Sequence, residues 1–216
     1  MMEKGIEANG IHTYRDFDLY ISDRSVTPGT KKEIRKEIPF MNGSYDFSAM
    51  SGEVTYADAT LKYKFDIAEW TTTEMEGKKN EIEDWFWNVI DAEITDDYST
   101  GYFYKGNAKG IEWQEDFGQG HITLTFSVYP YKYAKSKTTL KFLHGVSTFK
   151  NTSSHAVEFE LTASEAMTVL LNGINYELEA GNMDTKKLKL KRGENTIRVF
   201  SQNGYVNLSY REERFC

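Results

Sequence analysis

Residues 167–178 read MTVLLNGINYEL: two alternating apolar runs, Met167–Leu171 and Ile174–Leu178, joined by Asn172-Gly173. An Asn-Gly pair between such runs is the strongest short-range hairpin signal, because both residues tolerate the positive φ that a two-residue turn between twisted strands requires. The same period-2 pattern continues on either side. Val157, Phe159 and Leu161 alternate before it. After it, Leu188 and Leu190 lead into a turn at Lys191–Asn195, Ile197 and Val199 follow, and Asn203-Gly204 separates these from Val206, Leu208 and Tyr210. From about residue 138 onward the chain therefore reads as short strands punctuated by turns, a small β-sandwich.

Earlier in the chain Ile122, Leu124, Phe126 and Val128 alternate with Thr123, Thr125 and Ser127, and Leu61, Tyr63, Phe65 and Ile67 alternate with Lys62, Lys64 and Asp66. Each run is a strand with one buried face. Only one segment, about residues 77–92, reads as a helix. Ile82, Trp85, Phe86, Val89 and Ile90 fall at i, i+3, i+4, i+7 and i+8, one apolar stripe. Trp87 lies about 140° from Ile82 at 100° per residue, outside that stripe. It needs cover, from another segment of the chain in the first instance or from a partner subunit. A domain boundary is expected at Tyr129–Lys137, where a strand ends in Pro130, the residues turn polar and basic, and alternation resumes near Leu140. The expected architecture is mainly β: an N-terminal β-rich domain with one α-helix over residues 1–135, then a β-sandwich over residues 136–216.

Composition narrows the function. The 216 residues include 39% hydrophobic and 27% charged residues with three prolines, a globular balance with ample material for a core. No apolar run is long enough to cross a bilayer, and Met1–Gly5 does not open a secretory signal, so neither membrane insertion nor export is expected. Residues 1–135 hold 15 Lys/Arg against 24 Asp/Glu, net −9, and residues 136–216 hold 11 against 9, net +2. An acidic first part argues against wrapping nucleic acid, whose phosphates need basic surface. The single cysteine, Cys216, excludes an internal disulfide and a cysteine-built zinc site.

No catalytic constellation emerges. His12, His121, His144 and His155 are scattered and none stands at metal-ligand spacing, and no nucleophile elbow, P-loop or dinucleotide fingerprint is present. Asp96-Asp97 is expected in a turn and lacks the alternating ligands of a calcium loop. Glu112, Glu115 and Asp116 flank Trp113, an arrangement open to a glycosidase-type carboxylate pair or to a plain polar hairpin tip. Asn42, Asn151 and Asn207 open glycosylation sequons that read as turns and polar strand ends. The 13 Phe, 14 Tyr and 4 Trp suit core packing first, then subunit contacts or a sugar platform. No cofactor is expected and no enzyme is read here.

Taken in order, several landmarks resemble the distal tail protein family of long-tailed, non-contractile bacteriophages and their prophages. They are Gly10–Leu19, read as an early strand ending in an aspartate-phenylalanine-glycine-like turn with Asp18 in the glycine's place; Ile38–Ser48, with its proline, Asn42-Gly43 and Tyr45-Asp46-Phe47; the strand Tyr56–Ile67; the helix carrying Ile82, Trp85 and Phe86, followed by Gly101–Lys105; and Gly120–Pro130. The last part, with Leu171–Tyr176 and Gly193–Asn195, is similar to the family's galectin-like C-terminal domain.

The resemblance implies a structural protein of the virion tail tip or baseplate, made in the bacterial cytoplasm. Its N-terminal domains would form a hexameric ring around a central DNA channel. That ring would join the tail tube protein to the tail-associated hub protein, and the outward C-terminal domains would hold receptor-binding proteins for host adhesion. DNA would be met only in transit, which the acidic first domain suits. Ring closure needs two different patches per subunit. Candidates are Trp87 and the stretch Lys31–Phe47, which includes Phe40 and Met41. The alternative reading is a carbohydrate-binding protein acting through the galectin-like domain, although Trp70, Trp85, Trp87 and Trp113 all precede that domain.

Overall fold

The computed structural model describes residues 4–48, 54–67, 72–116, 119–183 and 188–216. Trp70 lies outside them. Strands account for 61% of the structure and two helices for 9%, so the chain is mainly β as its alternation predicts. It divides into two compact units, Met1–Lys132 with Phe215–Cys216, and Tyr133–Arg214.

The first unit contains β1 (Ile6–Ala8), β2 (Ile11–His12), α1 (Thr13–Phe17), β3 (Leu19–Thr27), β4 (Arg35–Glu37), β5 (Ser44–Asp46), β6 (Ala59–Ile67), α2 (Thr72–Trp87), β7 (Ala92–Asp96), β8 (Tyr102–Asp116) and the start of β9 (Gln119–Phe142). Its main sheet is hydrogen-bonded in the order β3-β6-β9-β8-β7-β1-β2. The inward residues are those the period-2 pattern picks out: Leu61, Tyr63, Phe65 and Ile67 on β6, and Ile122, Leu124, Phe126 and Val128 on β9. Helix α2 lays Ile82, Trp85 and Phe86 into the same core, with Val89 just beyond its end. The Phe86 and Phe126 rings meet edge-on at 5.2 Å, and the buried Trp85 Nε1 donates to the Ala8 carbonyl at 3.0 Å. Each large apolar side chain so buried stabilises the fold by roughly 1.5–3 kcal/mol.

Three expectations are corrected. First, the described residues of the N-terminal part include two helices, not one. The short α1 occupies the middle of the stretch read as an early strand. The imidazole of His12 caps its start, Nδ1 accepting from the N–H groups of Tyr14 and Arg15 at 3.2 and 3.3 Å. Asp18 ends it in the left-handed conformation (φ 56°, ψ 32°), its N–H donating to the Tyr14 carbonyl at 3.0 Å. Five residues are too few for an apolar period, so only the caps betray the helix.

Second, α2 covers Thr72–Trp87 instead of residues 77–92. Past Trp87 the chain tightens into i→i+3 bonds, from the N–H of Asn88 to the Trp85 carbonyl and from that of Val89 to the Phe86 carbonyl. Asp91 then takes a positive φ of 46°. Val89 still reaches the core, but Ile90 is turned out and 72% exposed, because the 100° step no longer applies.

Third, β9 does not stop at Pro130. The ring removes a donor, but the Pro130 carbonyl still accepts from the Cys216 N–H at 3.2 Å, and the strand continues to Phe142.

The second unit contains the rest of β9, then β10 (Gly145–Asn151), β11 (Val157–Ala163), β12 (Met167–Leu171), β13 (Ile174–Leu178), β14 (Gly181–Met183), β15 (Lys189–Leu190), β16 (Gly193–Val199) and β17 (Val206–Phe215). One sheet runs β14-β11-β17-β9, with β15 also on β11, and the other runs β10-β16-β12-β13. Val157, Phe159, Leu161, Leu208 and Tyr210 of the first sheet share one core with Val169, Leu171, Ile197 and Val199 of the second, which makes a β-sandwich. The β12–β13 hairpin has the predicted register, Leu171 opposite Ile174. Asn172 and Gly173 take φ values of 52° and 88°, as a type I′ turn requires. The turn expected at Lys191–Asn195 is shorter, since β16 begins at Gly193. Asn195 is fully buried, its Nδ2 donating to the Lys191 and Gly193 carbonyls at 3.0 and 2.9 Å.

Candidate interaction surfaces

Strands β4 and β5 form a two-stranded sheet of their own, Arg35 opposite Asp46, Lys36 opposite Tyr45 and Glu37 opposite Ser44. The base of this hairpin is tied down by Lys32 N–H to the Thr55 carbonyl (2.9 Å), Phe47 N–H to the Ile34 carbonyl (2.7 Å) and Ile34 N–H to Ser48 Oγ (2.9 Å). Every residue from Lys31 to Phe47 is exposed. Ile34, Ile38, Phe40, Met41, Tyr45 and Phe47 are among the exposed large hydrophobics of the chain. At the tip the Met41 N–H donates to the Ile38 carbonyl at 3.2 Å, and Phe40 takes a φ of 68° with its ring fully in solvent. A bulky residue in the left-handed region is costly, and here it holds an aromatic ring away from its own chain.

Trp87 is 51% exposed, and its ring rests edge-on against Phe86 at 5.1 Å. The cover expected from elsewhere in the chain is therefore absent among the described residues. Ile90, which sequence spacing assigned to the core, is exposed beside it in sequence. The missed signal was the tight turn after Trp87, which turns Ile90 outward.

The remaining candidates are scattered among other contacts. Asp96, expected in a turn, ends β7 and is buried. Its carboxylate accepts from Arg24 Nε at 2.5 Å and from the Tyr63 hydroxyl at 2.8 Å. Burial, then the Asp96 carboxylate, push the Tyr63 phenol well above its ordinary value. Burial lowers the Arg24 guanidinium's basicity, but pairing with Asp96 more than restores it and leaves it above its ordinary value. Asp97 accepts from the Gly5 N–H at 2.9 Å and from His12 Nε2 at 3.0 Å. Burial works against its charge, yet these two donors hold its carboxyl below the usual range.

His121 faces Asp66 at 2.8 Å, His155 faces Glu213 at 3.0 Å, and His144 meets the Ser201 carbonyl. Trp113 Nε1 donates to Glu83 at 2.8 Å, and Glu112 is exposed on β8. The side chains of Glu115 and Asp116 lie outside the described residues. Among the described residues no three His, Cys, Asp or Glu side chains gather as a metal site, and no helix is long and apolar enough to cross a membrane.

No protein-family model and no curated protein matches this sequence. Among solved structures, the chain is similar to the SPP1 Dit (gp 19.1) protein, described as a paradigm of hub adsorption apparatus in Gram-positive infecting phages. The TM-score is 0.76 at 13% identity, over 97% of this chain and 98% of that one. A conserved protein of unknown function, PA5104 from Pseudomonas aeruginosa PAO1, aligns with a TM-score of 0.26 at 10% identity, over 90% of this chain and 97% of that one. Across nearly its whole length, this chain has the fold of a phage distal tail protein.

Proposed function

We propose that this chain is the distal tail protein of a long-tailed phage or prophage, a structural component of the tail tip. The observation that carries this reading is the fold likeness to SPP1 Dit, which spans 97% of this chain and so takes in both units. Six copies form a ring through their N-terminal parts, residues 1–135, around a channel for DNA. The ring joins the tail tube protein to the hub protein. The C-terminal parts, residues 136–216, carry receptor-binding proteins. The net −9 of residues 1–135 suits a channel that DNA must pass without sticking. Phe40, Met41 and Trp87 are the proposed subunit contacts, since each leaves a large apolar side chain in solvent.

The test is light scattering across a concentration series with negative-stain imaging. Six subunits of 24.9 kDa give a particle of about 149 kDa with an open centre. A protein that stays monomeric throughout the series, or a closed particle of another symmetry, would overturn the ring.

A further inference from the structure

Between the β1–β2 turn, α1 and α2 the first unit holds a groove of about 520 Å³, within the size range of sites that take a small ligand. Its floor is apolar, formed by the half-buried Ile11 and the small exposed margins of Phe17 and Trp85, whose rings lie 5.6 Å apart. Glu81 and Asp84 line it from α2, and both are exposed. Side chains at this spacing are neighbours on one helix face. The groove is built in advance. Trp85 Nε1 is fixed on the Ala8 carbonyl at 3.0 Å, and Asn9 and Asn88, which also line it, are joined by Asn9 Nδ2 donating to the Asn88 carbonyl at 2.9 Å. Walls tied in this way leave little to order when a ligand enters.

The charge of the groove is not answered within the chain. The basic residues on the bordering helices are engaged elsewhere: Lys78 with Asp18 at 3.7 Å, Lys79 with Glu76 at 4.0 Å and Arg15 with Glu7 at 2.8 Å. Among the described residues Glu81 and Asp84 have no ion-pair partner. Like charges so placed repel each other, and a cation set between them removes that cost. A metal ion does not suit the groove, since two carboxylates over an apolar floor offer too few oxygen ligands and, among the described residues, no third His, Cys, Asp or Glu joins them. An arginine or lysine side chain does suit it. The apolar stem lies along Ile11 and the aromatic margins while the charged head pairs with the carboxylates. A second copy is the poorer source of that side chain, because residues 1–135 carry a net −9 and would bring like charge against the groove.

We infer that this groove receives an arginine or lysine side chain, flanked by apolar residues, from a partner protein other than a second copy. The site stands or falls independently of the ring. Its test uses the full chain with isotope-labelled tryptophan indoles, followed by nuclear magnetic resonance. The probe is the peptide acetyl-Leu-Arg-Leu-amide, with its Leu-Gln-Leu and Leu-Glu-Leu counterparts as controls. The Trp85 resonance is identified by elimination with Trp70→Phe, Trp87→Phe and Trp113→Phe. The expected result is a saturable shift of the Trp85 indole with the Leu-Arg-Leu peptide alone, while the Trp87 indole stays in place. Glu81→Gln with Asp84→Asn should weaken that binding about tenfold, as the loss of two exposed charge pairs implies.

No saturable shift, an equal shift from the Leu-Gln-Leu peptide, or unchanged affinity in the double variant would overturn the site. Peptide binding to the free subunit that is lost once copies assemble would assign the groove to a second copy and overturn the partner. Circular dichroism melts establish that the double variant is folded. If it melts early, the unsubstituted chain decides by salt: the affinity for the Leu-Arg-Leu peptide must fall as ionic strength rises, and a salt-independent affinity sinks the charge pairing.

Discussion

Asp96 is a buried, paired carboxylate in the first unit. Its carboxylate has no exposure and is held by Arg24 and Tyr63. Removing one partner of a buried pair leaves an uncompensated charge, which costs more than the pair contributes. Arg24→Met is therefore expected to destabilise the protein by about 3 kcal/mol in urea unfolding, and adding Asp96→Leu should recover much of that loss. Asp97 supplies a pH dependence. Its folded-state carboxyl titrates below the ordinary 3.8, so its contribution is complete above that value and is lost as pH falls through the lowered one. Between about pH 5 and pH 3 the urea midpoint should fall more steeply for the native chain than for Asp97→Asn. At the C-terminus, burial pushes the Cys216 thiol from 9.0 up to about 11. Its alkylation by iodoacetamide at pH 8 should be about a hundredfold slower than that of the urea-unfolded chain, since only the thiolate reacts.

Elements depend on backbone positions where a side chain is costly. Gly173 closes the β12–β13 hairpin at a φ of 88°, with nothing within 4 Å of where a Cβ would sit. Gly173→Ala therefore adds backbone strain alone, and a loss of about 1 kcal/mol in unfolding free energy is expected. Gly106 on β8 differs. A Cβ there would meet the Ser127 carbonyl oxygen at 2.2 Å and Val128 Cα at 2.6 Å, both backbone atoms of β9. Gly106→Ala should cost about 2–3 kcal/mol, more than Gly173→Ala in the same assay, because the strands must separate to admit it. The end of α2 shows how finely an element boundary acts. One tight turn after Trp87 keeps Val89 in the core and turns Ile90 out.

For the molecule as a whole, stability and assembly are expected to separate. Alanine at Phe40, Met41 or Trp87 removes side chains that touch solvent, so urea midpoints should shift by no more than about 0.5 kcal/mol equivalent while particle mass collapses. Equal losses of stability and assembly would place these residues in the fold instead of the interface.

Much of this molecule is legible in its residues. The inward faces of β6, β9 and β11 and the Asn172-Gly173 hairpin follow from period-2 alternation and turn chemistry, because a strand with one wet face records its environment residue by residue. The core contacts of Ile82, Trp85 and Phe86 follow from helical spacing in the same way. Helix α1, the run of β9 through Pro130 and the burial of Asp96 do not follow, since each depends on a partner distant in sequence or on a cap too short to have a period. The exposure of the hairpin from Lys31 to Phe47, of Trp87 and of Ile90 was settled only by tertiary structure. Apolar residues in a sequence declare a need for cover, but whether the chain itself provides that cover depends on which segments its fold brings against them.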